Sequence, residues 1–315
     1  MPHLLLALAL MAGGPPTRPA APAPATAAPA ASARHWSRAE FTGLLTDPEL
    51  AELSGLAASR VHAGVYWAHN DGDNVARLVA IRRDGTRVGS VKIAGVRNVD
   101  WEDIDSFDLD GKHYLMVSDT GDNGGIRKTL MLHVIEEPAQ LRDDAVLAPA
   151  WSIEFRWPDG ARDCEAVAVD AAAGQVLLVS KKRVPPELLA VPLRPAPSAE
   201  PVVAQLLGLF DGIAQPSAQD LKQNPVYGRY RSQVSGADLS PNGRVLALLN
   251  YHSVHLYVRR AGQPWAEALK DAKPDVLALP WLPQAEGIAF SPDGASLLIG
   301  GEQVPSPLFR FRVIK

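Results

Sequence analysis

Five segments of the chain repeat one pattern, and this repeat limits the possible folds more than any other feature of the sequence. Each copy is a short run of small apolar and polar residues, followed by a turn and by an apolar strand that ends in a polar residue. From the third position of the run to that polar end, the spacing ranges from 15 residues (Ser235 to Asn250) to 17 residues (Glu102 to Asp119). The third position holds, in chain order, Ser54, Glu102, Glu165, Ser235 and Glu286.

The size of the repeat predicts a β-propeller. Successive third positions are 48, 63, 70 and 51 residues apart. Repeats of roughly 40 to 50 residues made of short strands are typical of four-stranded propeller blades. We therefore predict an all-β propeller with five blades. Six blades are the alternative, but a sixth would have to fit into residues 211–232, which are too few for four strands and their turns.

The last repeat lacks one strand, and this predicts how the ring closes. Residues 309–314 form the third strand of the last copy. Residues 36–45 are a spare strand before the first copy, so we predict that they pair with 309–314 and complete the last blade. Closure would remove the exposed sheet edges that an open sheet has to protect.

The first 34 residues are predicted to lie outside the fold. Residues 4–11 are an apolar run of signal-peptide length that is too short to cross a bilayer. Residues 15–33 are rich in Pro and Ala, as in extended spacers. We predict an exported protein, periplasmic or secreted, in which residues 35–315 form a single monomeric propeller domain without a membrane span. The net charge of -4 argues against binding to nucleic acid.

Two acidic clusters lie within residues 100–123, one at the start of a strand and one at the end of the next. The Asp110-Gly111 turn makes these strands an antiparallel hairpin, so both clusters belong to the same end of it. We predict that a small ligand or a peptide binds at this end, which forms the mouth of the central channel. The candidate binding residues are Asp71, Asp100, Asp119, Asp122, Asn123, Lys181, Asn250 and Glu302.

Three third-position residues are glutamates, and a propeller would bring Glu102, Glu165 and Glu286 into one narrow ring. Carboxylates this close bind a cation, pair with basic side chains or take up protons. Because Ca²⁺ prefers about six to eight oxygen ligands, we predict these glutamates as metal ligands and Ca²⁺ as the candidate cofactor. Two alternatives stay open: backbone hydrogen bonds that only tie neighbouring blades together, and direct chemistry on a substrate. The rival basic partners are Arg127, Arg162, Lys181 and Lys182.

Two connections and the single cysteine complete the set of notable features. Residues 211–232, which include Tyr227, Tyr230 and Arg231, are either a surface excursion or a cap over the mouth. Residues 136–148 are predicted to contain a helical turn. Cys164 has acidic neighbours on both sides, which predicts a small buried residue rather than a nucleophile.

The sequence contains the motifs ELSGLAAS, HNDGDN, WEDID with DTGDN, DCEAVAVD, SGADLSPNG and QAEGIAFSPDG, and the resemblance that they carry covers residues 50–302. Together they resemble exported bacterial β-propellers of the SdiA-regulated and esterase-like phytase types. This resemblance implies a propeller and no particular activity. Gluconolactonase-like propellers, which bind a divalent metal in the central channel through Glu, Asn and Asp, are similar in residue type at Glu286 and at Asn70 or Asn250.

Two hypotheses for function follow from these observations. The first is an exported binding protein that holds a small ligand, a peptide or a divalent metal at the acidic mouth. The second is a metal-assisted hydrolase of lactones or phosphoesters, in which the ion activates water. We favour the first, because the sequence marks no residue as acid or base and contains neither a Gly-x-Ser-x-Gly motif nor a phosphate-binding loop.

Overall fold

A computed structural model describes residues 35–270 and 272–314, and these residues form five β-sheets. The sheets follow one another along the chain as the five blades of a β-propeller, which confirms the fold predicted from the repeat and makes the six-blade alternative wrong. The predicted leader, residues 1–34, lies outside the described residues. None of the described helices is both long and apolar enough to cross a membrane.

Four main strands make up each blade, ordered from the channel outward. Blade 1 contains Leu53–Ala58, Val65–Asn70, Arg77–Arg82 and Arg87–Ile93. Blade 2 contains Trp101–Leu109, Lys112–Asp119, Leu130–Glu136 and Trp151–Arg156. Blade 3 contains Ala166–Asp170, Gln175–Val179, Glu187–Pro192 and Gln205–Leu209. Blade 4 contains Val234–Leu239, Val245–Asn250, Ser253–Val258 and Asp275–Ala278. Blade 5 contains Ala285–Phe290, Ser296–Gly301, Ser306–Ile314 and Glu40–Leu45.

The helices are short and lie in the connections. The 3-10 helices are Pro48–Leu50, Ala171–Ala173 and Gly228–Tyr230, and the α-helices are Ala218–Gln223 and Trp265–Ala268.

The closing strand predicted from the sequence is present. Glu40–Leu45 pairs antiparallel with Ser306–Ile314, with Leu45 opposite Ser306. His35–Trp36 pairs with the far end of the same strand. The Glu40 carboxylate also lies 3.0 Å from the guanidinium of Arg310. The first described strands therefore complete the last blade and close the ring.

The hydrophobic core is divided among the five interfaces between neighbouring blades. In blade 2, Leu115 and Val117 pack against blade 1, whereas Tyr114 and Met116 pack against blade 3. Successive residues of a strand point to opposite faces of its sheet. Because both faces of a blade are covered, these inner strands are apolar on both sides.

The innermost strand of blade 2 carries two buried carboxylates, Asp103 and Asp105. Asp103 Oδ2 accepts hydrogen bonds from the backbone N–H groups of Val167 (2.9 Å) and Ala237 (3.1 Å), which belong to blades 3 and 4. Asp105 accepts a similar bond from the Val169 N–H at 2.5 Å. The innermost strands have an unpaired edge facing the channel, and a buried N–H without a partner is costly. These aspartates therefore have a structural role.

Two connections differ from the sequence prediction. Residues 136–148 contain no helix; instead Ala145–Leu147 adds in parallel to Arg87–Ile93 of blade 1. The sequence also predicts one outer strand of blade 3 over residues 202–210. The structure splits it into Val202–Val203, which adds in parallel to Trp151–Arg156 of blade 2, and Gln205–Leu209. In both places the outer edge of a blade offers free backbone groups with which a short segment pairs. At residues 145–147 this pairing takes the place of the predicted helical turn.

Candidate functional site

The third position of the repeat lies at the mouth, where the innermost strands begin, and in four blades a β-bulge positions it. Strand pairing skips one residue in these blades, namely Ser54, Glu102, Ser235 and Glu286. In blade 3, Glu165 directly precedes the strand Ala166–Asp170. An extra residue bends the strand and changes the direction of its side chain. All five residues are buried, with 1 to 5% of their surface exposed.

The two serines of this set tie neighbouring blades together. Ser54 Oγ donates to the backbone carbonyl of Glu102 at 2.9 Å, and Ser235 Oγ donates to that of Ala285 at 2.6 Å. Thr120 makes a related bond from blade 2 to the Cys164 carbonyl at 2.7 Å. The hypothesis that this repeat position ties neighbouring blades together through backbone hydrogen bonds therefore holds for the serines. Among the described residues, the side chains of Glu102, Glu165 and Glu286 make no such bond to backbone.

A first acidic triad consists of Asp71 from blade 1 with Asp100 and Glu102 from blade 2. One carboxylate oxygen of each lies within 4.8 Å of the others. Glu102 is only 3% exposed, and its carboxylate accepts no hydrogen bond from the described residues. Asp71 and Asp100 are partly exposed. The triad is therefore a cluster of carboxylate oxygens with the buried Glu102 on its inner side and the partly exposed Asp71 and Asp100 on its outer side.

Two glycines allow the backbone to approach this triad. A Cβ atom at Gly121 would come closer than 3.0 Å to the carboxylate oxygens of both Glu102 and Asp100. A Cβ atom at Gly72 would lie 2.6 Å from Asp100 Oδ1. The Gly121 N–H also donates to the Asp100 carbonyl at 3.1 Å. Any side chain at these positions would displace the carboxylates, so the glycines shape the first acidic triad.

A second acidic triad shares Glu102 with the first and adds Asp163 and Glu165. Its three ligand oxygens again lie within 4.8 Å of one another. In this triad cations are present: Lys181 Nζ contacts Glu165 Oε1, and Lys182 Nζ lies 2.8 Å from Asp163 Oδ2. Glu165 Oε2 is buried without a hydrogen-bond partner. The two triads are thus alike in their oxygens and different in their neutralising charges.

Burial and mutual repulsion both act on the first triad. Burial, followed by the charge of Asp71, raises the pKa of Asp100 to about 6. The pKa of Glu102 is raised well above its usual range, first by burial and then by the charges of Asp71 and Asp100. Burial also raises the pKa of Asp71. A bound divalent cation would reverse this situation, because it favours the ionised form of every ligand.

Blade 5 supplies a separate acidic pair, Glu286 and Glu302. Tyr251 Oη donates to Glu286 Oε1 at 3.2 Å, and Gln284 donates to Glu302. The pKa of Glu286 is raised well above its usual range by burial and then by the charge of Glu302. Burial raises the pKa of Glu302 to about 7. Among the described residues, Glu286 belongs to neither triad.

Other residues predicted to bind a ligand hold the loops of the mouth. Asp119 Oδ1 lies 2.6 Å from the Arg127 guanidinium. Asp122 accepts the backbone N–H groups of residues 126 and 127 at 2.8 and 3.0 Å. Asn123 Oδ1 accepts from Lys182 at 2.8 Å. Asn250 Oδ1 accepts the backbone N–H groups of residues 252 and 253 at 2.9 and 2.8 Å.

The insertion at residues 211–232 contacts blade 4. Arg231 pairs with Asp220 at 2.5 Å within the insertion and also contacts His252. Tyr227 is 68% exposed, and Tyr230 stacks with a neighbouring arginine. In the described part of the chain, none of these side chains bonds to a carboxylate of the triads. Their contacts therefore favour a surface excursion anchored to blade 4.

The sequence-predicted ligands omit Asp163, Gly72 and Gly121. Asp163 occupies the same repeat position as Asp100, two residues before the glutamate, and this signal could have identified it. The glycines carry no such signal, because their importance depends on how close two chain segments come. Cys164 agrees with prediction: it is fully buried, and burial raises the pKa of its thiol to about 12.

The chain matches no protein-family model. A comparison with curated proteins likewise gives no match. Three solved structures are similar at low identity. Raptor from Chaetomium thermophilum is 12% identical, with 90% of this chain and 29% of that chain covered and a TM-score of 0.45. The Pan2 WD40 domain from Neurospora crassa is 10% identical, with coverage of 90% and 98% and a TM-score of 0.40. A putative 6-phosphogluconolactonase from Bacteroides uniformis is 14% identical, with coverage of 83% and 67% and a TM-score of 0.37.

Proposed function

We propose that this protein is an exported binding propeller that holds a hard divalent cation, Ca²⁺, in the first acidic triad. The ligands are Asp71, Asp100 and Glu102. One observation carries the proposal: the Glu102 carboxylate is 3% exposed and accepts no hydrogen bond from the described residues, yet it lies within 4.8 Å of two further carboxylates. A buried carboxylate without a donor or a counter-ion is expensive. The charge of Lys181 offsets only part of the cost of burying Glu102, and a cation at this point would offset the rest.

The donor set favours calcium over softer metals. All three ligands are carboxylates, and Ca²⁺ binds oxygen ligands in flexible geometry, whereas structural zinc sites use cysteine and histidine. The open side, formed by the partly exposed Asp71 and Asp100, leaves room for water or for an oxygen of a bound small molecule. The proposed role is therefore binding at the mouth, with calcium as the resident ion.

Export is part of the same proposal. It rests on the apolar run at residues 4–11, the Pro/Ala-rich spacer and the resemblance to exported bacterial propellers of the SdiA-regulated and esterase-like phytase types. Calcium sites of extracellular modules have dissociation constants of roughly 10⁻⁴ to 10⁻³ M. A triad with two partly exposed ligands fits such moderate affinity.

The test is calcium binding by the purified full chain, measured by isothermal titration and by elemental analysis, together with thermal unfolding in calcium and in chelator. Calcium is expected to raise the unfolding temperature, because an ion that binds only the folded state stabilises it. Glu102→Gln should lose this response. The matched control is Glu154→Gln, which removes one negative charge from an exposed position on the same blade. Wild-type protein that binds no calcium, and melts at the same temperature in calcium and in chelator, would overturn the proposal.

A further inference from the structure

The second acidic triad differs from the first because lysines already neutralise it. Lys181 is 9% exposed, and its ammonium group contacts Glu165 Oε1. Lys182 lies 2.8 Å from Asp163. In the described residues no lysine or arginine nitrogen comes within 4.0 Å of a first-triad carboxylate. We propose that Lys181 takes the place of a second metal ion, so that the mouth binds one divalent ion where the carboxylates alone would bind two. This inference rests on the proposed calcium site.

The position of Lys181 in the repeat supports this assignment. Its backbone N–H donates to the carbonyl of Asp163 at 3.0 Å. The equivalent bond in blade 1 is donated by Asp71 to Glu52 at 2.9 Å, and in blade 5 by Glu302 to Gln284 at 3.2 Å. Two blades thus place a carboxylate where blade 3 places an ammonium group. The residue at this repeat position therefore adds a negative charge to the mouth in blades 1 and 5 and a positive charge in blade 3.

The surroundings of Lys181 hold its ammonium group over the second triad. The Nζ atom lies 5.8 Å from the centre of the Tyr251 ring, within the range of a cation–π contact. Glu165 Oε2 has no hydrogen-bond partner, so only one oxygen of that carboxylate is occupied by Lys181. Without the ammonium group, the triad would present two free Glu165 oxygens beside Glu102 and Asp163. Three carboxylates would again lie together, as in the first triad, with Asp163 still contacted by Lys182 and by the backbone N–H of Asp122.

The experiment is a count of calcium ions per chain, by equilibrium dialysis and by isothermal titration, for wild type, Lys181→Gln, Lys181→Arg and Lys128→Gln. Wild type should bind one ion, Lys181→Gln two and Lys181→Arg one. Lys128→Gln is the matched control, because Lys128 is an exposed lysine on the corresponding loop of blade 2, after Lys112–Asp119, and should leave the count at one.

The outcomes separate this inference from the calcium proposal. No ion in wild type would refute the proposed function itself. One ion in both wild type and Lys181→Gln, or two ions in wild type, would refute the role of Lys181 and leave calcium binding in place. If Lys181→Gln folds only when calcium is added, the calcium dependence of its refolding should show a Hill coefficient near two; a coefficient near one would overturn the inference.

Discussion

Replacing Gly121 with alanine tests the geometry of the first acidic triad without changing its charge. The new Cβ atom would come closer than 3.0 Å to the carboxylate oxygens of Glu102 and Asp100, a separation that real Cβ atoms essentially never show. The clashing atoms are the far ends of side chains, so the carboxylates should move and the backbone should stay. Gly121 is not among the glycines with positive φ, so alanine suits its backbone conformation. Two of the three proposed ligands would thus be displaced in a folded protein.

The expected loss of calcium-induced stabilisation follows from the linkage between calcium binding and unfolding. Loss of a residue that only supports a metal ligand typically reduces affinity about 10- to 100-fold, so displacement of two ligands should cost at least about 100-fold. At a calcium concentration near 100 times the wild-type dissociation constant, the ion stabilises wild type by about 2.7 kcal/mol. The same concentration would stabilise the Gly121→Ala variant by only about 0.4 kcal/mol. At about 2 to 4 °C per kcal/mol, calcium should raise the unfolding temperature by roughly 5 to 10 °C in wild type and by about 1 °C in the variant.

The assay is thermal unfolding by circular dichroism in chelator and in calcium. Gly124→Ala is the matched control, because a Cβ atom there would meet nothing closer than 3.7 Å and the residue lies in the same loop. In chelator both variants should melt within a few degrees of wild type. A Gly121→Ala protein that folds normally and keeps the full calcium response would refute the placement of the ion in the first triad.

Four further predictions concern the charge of Glu102, the pH dependence of stability, the pH dependence of calcium affinity, and ring closure. In chelator, Glu102→Gln should melt at a higher temperature than wild type, because burial and neighbouring charges raise the pKa of Glu102 and make its ionised form unfavourable; a lower melting temperature would contradict this. Since the folded pKa of Asp100 is about 6 and its ordinary value 3.8, the calcium-free protein should lose stability as pH rises from about 4 to about 6. Calcium affinity should change in the opposite direction: it should fall as the pH drops from about 7 to about 5, and calcium binding should release protons. Isothermal titration in buffers of different ionisation enthalpy measures the affinity and the number of protons released. An affinity that does not depend on pH would argue against Asp100 as a ligand. Deleting residues 35–45 should abolish cooperative unfolding, because Glu40–Leu45 is the fourth strand of blade 5; denaturant curves that keep a single sharp transition would show that closure is dispensable.

The number of blades and the position of the acidic clusters along the strands could be predicted from the sequence, because both depend on local pattern. The repeat places Glu102 at the start of an innermost strand, and the Asp110-Gly111 turn, with both residues at positive φ, fixes the register of that hairpin. The spare strand before the first copy indicated ring closure for the same reason. Alternation and turn chemistry act over a few residues, so they can be recognised without knowledge of neighbouring blades.

The partners of each carboxylate were decided only by the tertiary structure. Asp71 and Asp100 come from different blades, and their distance depends on how the blades pack and on the bulge that directs Glu102. Asp119 looks equivalent to Asp71 in sequence, but Arg127 folds back eight residues later and neutralises it. Lys181 is a predicted binding residue, and only the structure shows that its ammonium group contacts Glu165. The energy of a charge pair falls as the distance between the charges grows. Whether a carboxylate is free for a cation therefore depends on through-space distances that only the closed ring fixes.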